Sequence, residues 1–96
     1  MSIKHDVGKP LAGLMIHDFA RALGAVADVT TYGASKYSPS GWRDVPDAGA
    51  RYTNALYRHL LAAHSERCDA DSGLPHLAHA AWNILAILEL RSRDTL

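Results

Sequence analysis

Six histidines in 96 residues are the compositional anomaly of this chain, and their spacing points to chemistry. His76, His79 and Asn83 stand at i, i+3 and i+7, so a helix would project all three from one stripe of an otherwise apolar surface. Tyr52, His59 and Glu66 are each seven residues apart and would share a stripe in the same way. The connection between these sets carries Asp69 and Asp71. A short connection encourages antiparallel pairing of the helices it joins. His59 and Glu66 could then face His76 and His79, with the loop carboxylates closing one end of the cluster.

Imidazoles and carboxylates gathered in this way can hold a divalent metal ion. Carboxylates suit hard ions such as Mg²⁺, whereas histidines draw the preference toward Mn²⁺, Fe, Ni or Zn²⁺. The expected ligand set is His59, Asp69, Asp71, His76 and His79, with Mg²⁺ or Mn²⁺ as the expected ion. Such an ion could neutralise phosphate oxygens and lower the pKa of a bound water. His59, Glu66 and His79 form the candidate catalytic set. Lys9, Lys36 and Arg58 are candidate phosphate clamps, Trp42 and Tyr37 could stack a base, and Asn83 completes the candidate ligand contacts. Plainer roles stand beside these. A histidine on a buried helix face can be a hydrogen-bonded packing residue, Glu66, Asp69 and Asp71 can simply solvate a loop, and Asp71 or Ser72 can cap a helix. Trp42 can serve as a lid over the core.

The elements that must position these residues are helical. The opening segment through Gly8-Lys9-Pro10 reads as an extended arm, because the residue before proline is pushed away from the helical region. A first helix is expected from an Asp18 N-cap to about Ala34, with Phe19, Leu23, Val26, Ala27 and Thr30 as its inner stripe and Gly33 placed to end or kink it. A loop over 35–48 follows, punctuated by Pro39, Gly41 and Pro46. The second helix is expected from about Asp47 to Ser65, its apolar stripe being Tyr52, Leu56, Leu60 and Ala63. After a polar loop over 66–75, Ser72 or Gly73 can begin a third helix, with Pro75 tolerated in its first turn. That helix, from His76 to about Arg91, is apolar almost all round and should be the central element. Period-two alternation is nowhere long enough for a sheet, so the expected fold is all-α: a compact bundle of about three main helices with long loops.

Length and composition bound the rest. The chain has room for a single domain, spanning 1–96. Apolar residues make up 48% of it, but many are alanines, which let helices approach closely while burying little area. Oligomerisation is the expected source of further burial, so a homo-oligomer is anticipated. Ten acidic and ten basic residues balance, leaving no global field to attract DNA or an anionic membrane. No apolar run approaches a membrane span, no signal peptide opens the chain, and the single Cys68 fits a reducing compartment. A cytoplasmic location is the expectation.

Three blocks together resemble a known family: KHDVGKP near the start, TYGASKY followed by GW, and ALYRHLLAAHSERCDADSGLPHLAHAAWNILAILEL. From about Lys4 to Leu90 the chain looks like the N-terminal domain of dATP/dGTP diphosphohydrolase, found mostly in phage proteins. The resemblance implies a helical fold related to the MazG-like nucleotide pyrophosphohydrolases. Those enzymes use metal ions to cut a nucleoside triphosphate between its α- and β-phosphates, and they assemble as dimers or tetramers. For a phage protein the cytoplasm would be that of the host. One departure matters: the MazG-like carboxylate pairs, E-x-x-E on one helix and E-x-x-D on the next, are missing here, and the third helix offers His76-x-x-His79 instead.

Three classes of function therefore compete. The first is a metal-dependent (deoxy)nucleoside triphosphate diphosphohydrolase. The second is a viral protein that binds nucleotides without cutting them, soaking up nucleotide second messengers of host defence. The third is a small interaction module with structural histidines. The sparse carboxylate supply separates the first two: two or three acids are few for a two-metal enzyme and ample for a binder.

Overall fold

The computed structural model describes residues 7–94, with side chains to 93, and contains four α-helices: α1 (Ala12–Asp18), α2 (Ala20–Lys36), α3 (Ala48–Ala62) and α4 (His76–Asp94). A single 3₁₀ turn, Gly41–Asp44, interrupts the α2–α3 connection. Among the described residues the only β-type pairing is an isolated bridge between Cys68 and Pro75. The all-α expectation holds.

The N-terminal helix departs from its expected course. Helix begins at Ala12, right after the Pro10-Leu11 extension, rather than at Asp18. Asp18 caps nothing; its carboxylate accepts from the neighbouring His17 ring at 3.1 Å. The bend between α1 and α2 falls on Phe19, whose backbone sits at φ −115°, ψ 24°. The i→i−4 ladder still runs through it, from the Phe19 amide to the Met15 carbonyl and from the Leu23 amide to the Phe19 carbonyl. These two helices are therefore one bent rod. Gly33 does not end it, because the backbone continues helically to Lys36 and the Tyr37 amide closes onto the Gly33 carbonyl.

Helix α4 is the central element, as its apolar sequence requires. Tyr52 meets Trp82 and His59 meets His76, so position falls along α4 as it rises along α3 and the two run antiparallel. Helix α2 lies against α4 as well, with Tyr32 edge-on to the His79 ring. The enclosed core is small. Its buried apolar members are Val29, Ala78, Ala80 and Ala86, and among the described residues no large side chain falls below 2% exposure. Alanine at 78, 80 and 86 brings the helices close enough for side chains on facing stripes to touch, and that closeness builds the site.

The α3–α4 connection is shaped by hydrogen bonds rather than by packing. The Asp69 carboxylate accepts from the Ser72 amide, the Gly73 amide donates to the Asp69 carbonyl, and Gly73 takes the left-handed φ of 72°. The His76 amide reaches back to the Arg67 carbonyl, so α4 starts from a fixed point. This compact turn places Asp69 against the N-terminal end of α4.

Candidate functional site

A cleft of about 600 Å³ opens between α2, the 3₁₀ turn, α3 and α4. Its two ends differ in chemistry. One is aromatic: Trp42, Tyr52 and Trp82 pack with ring centroids 5.3 to 6.1 Å apart, mostly edge to face. The Tyr52 hydroxyl donates to the Trp42 carbonyl at 2.6 Å and pins the 3₁₀ turn onto α3. Burial and the nearby Tyr37 raise the Tyr52 pKa, which keeps that donor protonated. The other end is ionisable, built on His59, His79 and Asp69, and Asp71, Arg58 and Lys36 line the same cleft.

At the ionisable end the helical stripes meet as the spacing anticipated. The Nδ1 atoms of His59 and His76 are 2.9 Å apart, and the His59 ring stacks on His79 with centroids 4.6 Å apart and planes 10° from parallel. One potential ligand atom from each of His59, Asp69 and His76 lies within 4.8 Å of the others. His76 is 5% exposed, and its Nε2 donates to the Glu66 carboxylate at 3.3 Å. His79 Nε2 is tied to the Ser72 hydroxyl at 2.7 Å, and that hydroxyl also accepts from the Leu74 amide.

The electrostatics follow from this crowding. Burial, then the charges of His79 and His76, lower the His59 pKa. Burial also lowers His79, with His76 adding to the effect and Asp69 opposing it. Both rings therefore favour the neutral form, in which one ring nitrogen carries a lone pair. Burial works against ionisation of Asp69, but hydrogen bonding from Ser72 and the neighbouring imidazoles outweigh it, so its carboxyl is held below the ordinary range.

The anticipated residues fall into three groups. His59, Asp69, Asp71, His79, Lys36, Tyr37, Trp42, Arg58 and Asn83 all line the cleft. His76 and Glu66 stand behind it, His76 facing His59 and Glu66 holding His76. Lys9 does not reach the cleft; it lies on the exposed segment ahead of α1. Lys36 sits over the Tyr37 ring at 5.6 Å, and Arg43, which the sequence reading passed over, covers Trp42 at 5.4 Å. Three more contributors were not singled out as site residues. Trp82 was counted only as part of an apolar helix, although it falls three positions after His79 and so belongs near the same stripe. Tyr32 directly precedes Gly33, where the helix was expected to end or kink. Ser72 was read only as a helix start.

Asn83 is the least satisfied group in this site. It is 5% exposed, and its Oδ1 is enclosed without a hydrogen-bond partner. A buried amide oxygen left unpaired costs about 1–3 kcal/mol, so it belongs where something else supplies a donor.

The fold and site define an all-α domain whose helices enclose a cleft with an aromatic end and a histidine–carboxylate end. The sequence profile of the family described as dATP/dGTP diphosphohydrolase, N-terminal, matches residues 2–96, and the chain belongs to that family. No curated protein and no solved structure gives a match.

Proposed function

We propose that the cleft binds a (deoxy)nucleoside triphosphate and that the domain hydrolyses it between the α- and β-phosphates, releasing pyrophosphate and a nucleoside monophosphate. The observation that carries this reading is the two-ended cleft, since a nucleotide has one flat aromatic end and one anionic end. The base would lie against Trp42, Tyr37 and Trp82, where stacking is insensitive to base identity, while Asn83 offers its unpaired Oδ1 to a donor on the base or sugar. Arg58 and Lys36 would carry the phosphates. His79, neutral and on the cleft wall, would take the proton from the attacking water. Water adds its oxygen to the α-phosphorus as the bond to the bridging oxygen breaks, and pyrophosphate departs.

A divalent cation suits this site. Two imidazole nitrogens and one carboxylate, partly buried and close together on His59, His76 and Asp69, are a donor set that holds such ions. When bound it would supply positive charge beside the phosphates and polarise them. Family membership supports a nucleotide-hydrolase-related role.

One observation favours a second reading, that of a non-catalytic nucleotide binder. Among the described residues Asp69 and Asp71 are the only carboxylates lining the cleft, a short supply for charge neutralisation through two metals. A single experiment separates the two. Purified protein is incubated with each ribo- and deoxynucleoside triphosphate and Mg²⁺ or Mn²⁺, with pyrophosphate and intact nucleotide both measured. Pyrophosphate release that a chelator abolishes supports the hydrolase. Tight, chelator-insensitive binding with no product replaces it with the binder, and no binding at all defeats both.

A further inference from the structure

The cluster on the wall of the cleft carries more information than a general affinity for cations. The Glu66 carboxylate accepts from His76 Nε2 at 3.3 Å, which places a proton on that nitrogen and makes Nδ1 the atom that can offer a lone pair. That lone pair points at the His59 Nδ1, 2.9 Å away. Two nitrogens bound at right angles to one ion at about 2.0–2.1 Å are roughly 2.9 Å apart, so the spacing already matches adjacent coordination positions. Asp69 brings a carboxylate oxygen within 4.8 Å of a ring nitrogen of each histidine, held by its bond from the Ser72 amide.

We infer that His59 Nδ1, His76 Nδ1 and the Asp69 carboxylate form a two-histidine, one-carboxylate site for a first-row transition-metal dication, selective against Mg²⁺ and Ca²⁺, with Glu66 as its positioning residue. Two of the three protein donors are imidazole nitrogens, which bind first-row dications with strength rising from Mn²⁺ to Cu²⁺ and falling back at Zn²⁺, whereas Mg²⁺ and Ca²⁺ are hard ions that take oxygen. A carboxylate accepting from the far nitrogen of a ligand histidine is the usual support in such sites: it orients the ring and raises its basicity. Glu66 stands in that place, 63% exposed at its side chain and anchored to a ring that is itself buried. Ser72 occupies His79 Nε2, so that ring flanks the site by stacking on His59. The competing account is that the His59–His76 contact is only a hydrogen bond joining α3 to α4.

The site shares the cleft of the proposed nucleotide but can be tested without any nucleotide. Failure here leaves the nucleotide reading standing, and failure of turnover leaves this one. Untagged, metal-stripped protein is titrated with Co²⁺ alone, and binding is read from the visible absorption of the coordinated ion and by calorimetry. One site per chain is expected, emptied by Zn²⁺ near stoichiometry and retained in a thousandfold excess of Mg²⁺. Asp69→Asn and His76→Asn should abolish the spectrum, and Glu66→Gln should weaken binding about 10- to 100-fold with helicity intact. His17→Asn, remote and exposed, should change nothing. If His76→Asn fails to fold, Asp69→Asn and Glu66→Gln, both altered on the loop side, still decide the matter. Displacement of Co²⁺ by Mg²⁺ at comparable concentration, a spectrum that survives Asp69→Asn, or no saturable binding would each overturn the inference.

Discussion

Asn83 is the residue at which stability and the proposed ligand contact can be set against each other. Leucine has nearly the outline of asparagine, so Asn83→Leu keeps the position filled while removing a buried oxygen that has no partner. We expect the variant to be more stable by about 1–3 kcal/mol in denaturant titration, and at the same time to bind nucleotide at least tenfold more weakly. A more stable protein with unchanged affinity would place Asn83 outside the ligand contacts. The neighbouring histidines make a second prediction, on pH. His59 and His79 have folded-state pKa values below 6.5, and Asp69 lies below its own ordinary value. For each, the unfolded chain takes up a proton more readily than the native one, so stability must fall as pH drops. Above about pH 6.5 the histidines should contribute no slope. Between there and their lowered native values, thermal midpoints should decline, with Asp69 adding a further decline below about pH 4. A midpoint that rises on acidification from pH 7 to 5 would contradict the assigned directions.

At the scale of elements, the loop between α3 and α4 sets the geometry that the histidine stripes only make available. Gly73 holds a φ of 72°, and a Cβ there would meet no atom within 4 Å, so its substitution tests backbone strain alone. Gly73→Ala should cost about 1–2 kcal/mol, and because Gly73 donates to the Asp69 carbonyl it should also weaken metal binding. Loss of stability without loss of metal affinity would detach the turn from the site. Helices α3 and α4 were legible because their signals agree: apolar period, a proline next to the α4 start, and polar residues confined to one stripe. The facing of His59 on His76 followed from that spacing and a short connection. The start of the first helix was not legible, since aspartate serves equally as a cap and as a surface residue, and in Asp18 it was the latter. Gly33 failed to end its helix because no following residue in that turn breaks it, with Pro39 coming after the Lys36 end. Trp82 and Tyr32 escaped notice for another reason. Aromatic residues on an apolar helix look the same whether they fill a core or line a cleft, and only the approach of the 3₁₀ turn decides.

At the scale of the whole molecule, the packing is unfinished on one side. Around α4, His76, Ala78, Ala80, Asn83 and Ala86 are buried, while Leu77, Ile84, Leu85 and Leu88 are 50 to 64% exposed. Leu77, Ile84 and Leu88 follow i, i+7 and i+11, an apolar stripe of the kind that ordinarily faces a core. Tyr57 and Leu61 extend exposed apolar surface on α3, and Leu11, Met15 and Phe19 do so on the bent N-terminal rod. Single exposed leucines are unremarkable, but a stripe along the central helix of so small a domain is the kind of surface a partner would cover. A second copy of the chain is the partner consistent with a core made largely of alanine, which leaves a monomer too little buried apolar area for a comfortable margin. The solution mass should therefore be at least twice the monomer's 10.4 kDa by sedimentation or light scattering. Replacing Leu85 and Leu88 together with glutamate puts charges into that stripe without touching the cleft. The pair should shift the protein toward monomer and lower its melting temperature, with the melting of the wild type rising with concentration and that of the variant indifferent to it. If the wild type proves monomeric at micromolar concentration and melts cooperatively at high temperature, the exposed stripe is tolerated rather than covered, and the small core is sufficient by itself.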